Sequence, residues 1–199
     1  MNNLIKDIVY SSIRNLFRNQ PDIFENTDQT NFTEWNLNYH LSNEIAKYIF
    51  WLNVDLDVTK CDYRNRRPDI IFHKRKTNAL NFLVVELKKS KNDSQSDINK
   101  ITEKWMRKPL NYRYGLYVNI WGEGEYRAIL LKDGERYEIN EFCNYISVPN
   151  TNNQLLIEYK KLTDEIVSNN NENDLSEIIH LIDSMVLKTY EKIDFFKNS

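Results

Sequence analysis

Two acids and a lysine stand out near the middle of the chain. Asp69 follows Pro68 at the head of the apolar run IIFH, and Glu86-Leu87-Lys88 closes the run NFLVVELK. The intervening KRKTNA is polar and rich in turn formers, which predicts an antiparallel hairpin folding near Thr77 and Asn78. Opposed residues in such a pair have numbers of constant sum. Setting Asp69 against Glu86 therefore also sets Ile70 against Val85, Ile71 against Val84 and Phe72 against Leu83, apolar against apolar throughout. Alternation then sends Glu86 and Lys88 to one face and Leu87 to the other. Two carboxylates beside an ammonium suit metal-assisted phosphodiester hydrolysis. The carboxylates and the Leu87 carbonyl are hard oxygen donors of the kind Mg²⁺ takes. The metal would lower the pKa of an attacking water, while Lys88 would orient or help deprotonate that water, or offset charge on the phosphorane.

These residues carry a resemblance. Pro68-Asp69, a variable spacer, then Glu86-Leu87-Lys88 resembles the PD-(D/E)XK nuclease motif. The resemblance implies an α/β fold with a restriction-endonuclease-like α-β-β-β-α-β core and a mixed sheet. It also implies metal-dependent cleavage of phosphodiesters with Mg²⁺ or Mn²⁺, Asp69 and Glu86 as metal ligands and Lys88 as the catalytic lysine. Restriction, repair, recombination and RNA-processing enzymes share this superfamily. DNA is favoured over RNA as the substrate on family frequency, and an endonuclease of restriction, defence or repair type is the expected activity. A non-catalytic binding or assembly subunit that keeps the fold is the rival from another class, and an RNA-processing nuclease is a second.

The same family draws a further carboxylate from the helix before the first strand, and TEWNLNYHLSNEIAKYIFWL offers Glu34 and Glu44. At about 100° per residue, Leu37, Leu41, Ile45, Tyr48, Ile49 and Leu52 fall on one stripe, with Glu34 near its centre and Glu44 roughly 80° away. An acid on a core-facing stripe needs a partner, since burying it unpaired is costly, and a metal would be one. Glu34 is favoured as the third acid, with Glu44 as the substitute. The bland account of Glu34 is an exposed first-turn acid that suits the helix dipole.

Beyond Lys88, SDINKITEKWMRKPLNY predicts a helix capped by Ser96 or Asp97, and RYGLYVNIW a strand, together a strand-helix-strand crossover. GEGE at 122–125 and Asp133-Gly134 predict hairpin turns that extend the sheet. His40, His73 and His180 share no spacing and are expected to be structural. Tyr112, Tyr114 and Tyr117 are either base-stacking platforms or ordinary core or surface tyrosines.

The chain has 199 residues and a formal charge of −2, enough for one domain with a sizeable core. The charge is uneven. Residues 60–114 hold 15 basic and 6 acidic side chains, a balance of +9, against −4 before and −7 after this segment. Such a basic segment suits salt-sensitive, largely sequence-independent contacts to phosphates. Arg67 is the first candidate contact, and Lys100 with Lys104, one helical turn on, forms a second. The alternative is ordinary solvated charge.

No apolar run approaches a membrane span, and the N-terminal segment does not read as a secretory signal. Cys61 and Cys143 lack metal-ligand spacing. A cytoplasmic protein is expected, with no membrane partner. The organisation predicted is a nuclease-like core with an N-terminal helix over 1–150 and a helical extension over 151–199. Helical patterns run over 153–167 and 175–196 in that extension. These helices either cover the sheet or form an interface for a second copy or a partner protein.

Overall fold

The computed structural model describes residues 2–24, 33–49, 52–59, 66–76, 78 and 80–143. The chain divides into two compact units, residues 8–142 and residues 1–7 with 143–199. The candidate site lies wholly in the first. The expected C-terminal helices and the Thr77 turn position lie outside the described residues.

The elements follow in the order α1 (Asn2–Asn19), a 3-10 turn (Pro21–Phe24), α2 (Glu34–Ala46), β1 (Asn53–Leu56), β2 (Ile70–His73), β3 (Asn81–Lys88), α3 (Gln95–Lys100), a π turn (Ile101–Trp105), β4 (Tyr114–Gly122), β5 (Glu125–Lys132) and β6 (Glu135–Glu138). Among the described residues the strands form one six-stranded mixed sheet in sequence order. Each pair is antiparallel except β3–β4, which is parallel. A parallel pair needs a crossover, and α3 with the π turn supplies it. No helix among the described residues is long and apolar enough to cross a membrane.

The expected β2–β3 register is the one observed, Ile70 opposite Val85, Ile71 opposite Val84 and Phe72 opposite Leu83. It shifts by one residue after Phe72, where His73 meets Asn81. Both later hairpins also form where the turn residues predicted, with positive φ at Gly124, Asp133 and Gly134. Strand β1 borders β2, antiparallel to it.

β3 is buried along nearly its whole length, as a strand covered on both faces must be. On one face Val84 packs with Ile71, Ile98, Ile101, Trp105, Tyr117, Ile129 and Leu131. Helix α2 lies against β1 and β3 with Leu37, Leu41 and Ile45 fully buried. Tyr112, Tyr114 and Tyr117 are core residues, at most 2% exposed, so they are not the stacking platforms considered above.

Two helix boundaries differ from expectation. α2 stops at Ala46 instead of continuing towards Leu52. α3 is capped by Ser94, whose side chain accepts the Asp97 N–H at 3.3 Å, rather than by Ser96 or Asp97. The helix then widens, with the Met106 N–H reaching the Ile101 carbonyl five residues back at 3.0 Å. The π turn lies against Gly115 of β4, where a Cβ would fall on Ile101 Cγ2 and come within 2.9 Å of Met106 Sδ. Gly115 thus permits an approach that no side chain would allow.

Candidate active site

Asp69 stands immediately before β2, and its carboxylate accepts the Leu87 N–H at 2.7 Å. This bond ties Asp69 to the end of β3 that carries Glu86 and Lys88. Glu86 lies on the α3 side of the sheet, 2% exposed. Its Oε2 pairs with the Lys100 ammonium at 2.7 Å, and its Oε1 accepts the Trp105 indole N–H at 2.6 Å. Lys88, two residues on and facing the same way, sits 3.6 Å from both Glu34 and Asp97.

Glu34 reaches the site from the first turn of α2, where Thr33 caps the helix by accepting the Asn36 N–H at 3.2 Å. Its Oε1 accepts the Lys89 N–H at 3.3 Å. It is not the core-stripe acid that the helical wheel suggested, because its side chain keeps 44% exposure. Glu44 is the buried acid of α2, but its partner at 2.6 Å is Lys47 of the adjoining helix end.

Four acids, Glu34, Asp69, Glu86 and Asp97, therefore meet two ammonium groups, Lys88 and Lys100. With formal charges of −4 and +2, the cluster carries −2. Its electrostatics follow from burial and this imbalance. Burial, then the nearby Asp69 charge, raises the Glu86 pKa to about 7, with Lys100 and Trp105 opposing the rise. Burial likewise raises Asp69 above the usual carboxylate range, with Glu34 adding to the rise and the Leu87 N–H, Lys100 and Lys88 working against it. For Lys88, burial works against the charged form, but Asp97, Glu34 and Asp69 outweigh it and raise the pKa. Lys88 is thus held as an ammonium, suited to donate hydrogen bonds and positive charge rather than to accept a proton.

The other basic candidates differ in setting. Lys100 is turned inward onto Glu86, and its ammonium also reaches the Arg67 carbonyl at 3.4 Å. Lys104 lies in the π turn, half-buried. Arg67 is at the surface, paired with Asp57 at 3.0 Å, both side chains 55% exposed. Such a pair is weak and exchangeable, so the guanidinium remains accessible to other anions.

Sequence reasoning passed over Asp97 as a site group, Trp105 as a donor to Glu86, and Lys100 as the partner of a site acid. A faint signal existed in the spacing of Ile98, Ile101 and Trp105, which marks the inward stripe of the α3 segment. It also missed Asn119, fully buried beside Lys88 in the β3–β4 register. Its amide accepts the Ser90 N–H at 3.1 Å and donates to the Asn92 carbonyl and to Asp93. Asn119 thereby fixes the loop that leads into α3 and sets where Asp97 and Lys100 arrive. His73 is engaged elsewhere, with Asp55 of β1 at 2.8 Å.

The donors are hard oxygens, so their chemistry fits Mg²⁺ or Mn²⁺. As arranged, however, an ammonium and an indole take both Glu86 oxygens. Among the described residues no group of three or more His, Cys, Asp or Glu side chains is disposed to hold a metal ion. In comparisons with known proteins, the chain matches no family model, no curated protein and no solved structure.

Proposed function

We propose that this protein is a metal-dependent nuclease of the PD-(D/E)XK type, hydrolysing phosphodiester bonds, with DNA the favoured substrate and endonucleolytic cutting of restriction, defence or repair type the favoured activity. The observation that carries the reading is the meeting of Asp69, Glu86, Lys88 and Glu34 at one end of β3, drawn from three separate stretches of chain. The order α2-β1-β2-β3-α3-β4 agrees with the α-β-β-β-α-β core that the motif implies.

Asp69 and Glu86, with the Leu87 carbonyl and Glu34, would hold the cation. Bound there, Mg²⁺ or Mn²⁺ would supply Lewis acidity and a water of lowered pKa. The ammonium of Lys88 would orient an attacking water or offset the charge gathering on the phosphoryl oxygens. Asp97, Glu34 and Asp69 favour the charged form of Lys88. Arg67 offers a phosphate contact at the surface beside the site.

One observation favours a second reading, a non-catalytic subunit with this fold: both Glu86 oxygens already have protein partners. Cleavage of supercoiled plasmid and of single-stranded RNA by wild type and Lys88→Ala, with Mg²⁺, Mn²⁺ or chelator, tests the nuclease reading. Metal-dependent cutting lost in the variant supports it and identifies the substrate. Absence of cutting, together with no metal binding that depends on Asp69 and Glu86, supports the subunit.

A further inference from the structure

We infer that Lys100 is a built-in competitor for the divalent cation: its ammonium takes the charge position at Glu86, so metal enters only as Lys100 lets go, and Lys100 sets the site's metal affinity. The inference rests on the metal-dependent reading above and deepens it.

The geometry separates the two lysines. Lys88 stands 3.6 Å from Glu34 and from Asp97, distances of loose electrostatic pairing. Lys100 lies 2.7 Å from a Glu86 oxygen that is almost wholly buried, a charge-assisted hydrogen bond of full strength. Its ammonium is held on two further sides, by the Arg67 carbonyl at 3.4 Å and above the Trp105 ring at 5.5 Å. A cation in this setting is a designed occupant of the acid cluster rather than a surface charge that happens to touch it.

Its position is also fixed from the protein side. Lys100 is the last residue of α3, and the following π turn places Trp105 on the other Glu86 oxygen. One carboxylate is thus gripped from both ends of a single turn. A divalent cation drawn to Glu86 and Asp69 would face the Lys100 charge at close range, in surroundings of low dielectric where like charges repel strongly. Either the ammonium withdraws or the metal binds weakly. Once displaced, Lys100 carries its charge towards whatever anion shares the site, which would make metal and phosphodiester binding mutually supportive.

Mn²⁺ titration calorimetry on the full chain tests this with wild type, Lys100→Gln, Lys100→Met, Lys100→Arg and Asp69→Asn. The expected result is at least tenfold tighter Mn²⁺ binding in the two neutral variants, wild-type affinity in Lys100→Arg, and loss of binding in Asp69→Asn. A merely structural Lys100 would give no gain in affinity. The two neutral variants differ in polarity, so a folding failure of one, seen by circular dichroism, leaves the other to decide. Wild-type binding that needs Asp69 but is unchanged or weakened in the neutral variants would overturn the role of Lys100 and leave the metal reading intact. Absence of Asp69-dependent binding in every protein would overturn the metal reading and the inference together.

Discussion

Asp69 and Glu86 arrive together through the β2–β3 ladder, yet the bond that joins their strands at the site is from the Leu87 N–H to the Asp69 carboxylate, at 2.7 Å. The acid thus completes the hydrogen bonding of the strand pair at the point where regular pairing ends, just before Ile70. One residue serves both the sheet and the site. Among the described residues, the partners of the neighbouring Glu86 are side chains from α3 and the π turn.

Glu86 gives the chain a defined pH dependence. Its folded pKa of about 7 exceeds the ordinary 4.5, so between these values the folded state binds more protons than the unfolded state. Its contribution to stability is therefore fully present below about 4.5 and is lost as pH rises through about 7, a term of the order of 3 kcal/mol. In chelator, the melting temperature of wild type should fall over this window, and Glu86→Gln should flatten the fall. An equal slope in the variant would show that Glu86 does not carry the effect.

Glu34 and Glu44 separate by location. Glu34→Gln removes a carboxylate that reaches Lys88 and the Lys89 N–H and should lower metal-dependent cleavage about 10–100-fold. It should change stability by only about 0.5 kcal/mol, since the side chain is partly exposed. Glu44→Gln should leave cleavage at the wild-type level, because Glu44 pairs with Lys47. Cleavage rates and chemical denaturation of both variants provide the check. The opposite ranking would make Glu44 the third acid.

Gly115→Ala should destabilise the protein by about 1–3 kcal/mol, because its Cβ collides with Ile101 Cγ2 and Met106 Sδ. Relief of the clash moves the π turn, and with it Trp105, away from Glu86. The variant should therefore lose cleavage as well as stability. Urea denaturation at 25 °C together with a plasmid assay measures both, and a fully stable, fully active variant would contradict the packing argument.

Arg67→Ala should weaken DNA binding by a similar factor for unrelated sequences and lower the slope of log K against log salt by about 1. Its exposed pair with Asp57 contributes little to folding, so the melting temperature should hold. Fluorescence anisotropy across a salt series reads the slope. An unchanged slope would remove Arg67 from the phosphate contacts.

The amino-acid sequence by itself determined the β2–β3 register and the shared face of Glu86 and Lys88. Apolar residues must face apolar residues across the ladder, and a one-residue slip would turn Val84 and Glu86 to the wrong sides. The hairpin turns at Gly124 and at Asp133-Gly134 were legible for a similar reason, since few residues accept positive φ. Only the tertiary structure decided which charges meet. Glu34 and Lys89 are 55 positions apart, and Glu86 and Lys100 are 14. Whether Lys100 points outward to phosphate or inward to Glu86 depends on the phase of α3. That phase is set by the Ser94 cap, the loop held by Asn119 and the approach of the π turn to Gly115. The Ser94 cap is local, but no local pattern encodes the other two constraints, because each joins α3 or its entry to β4.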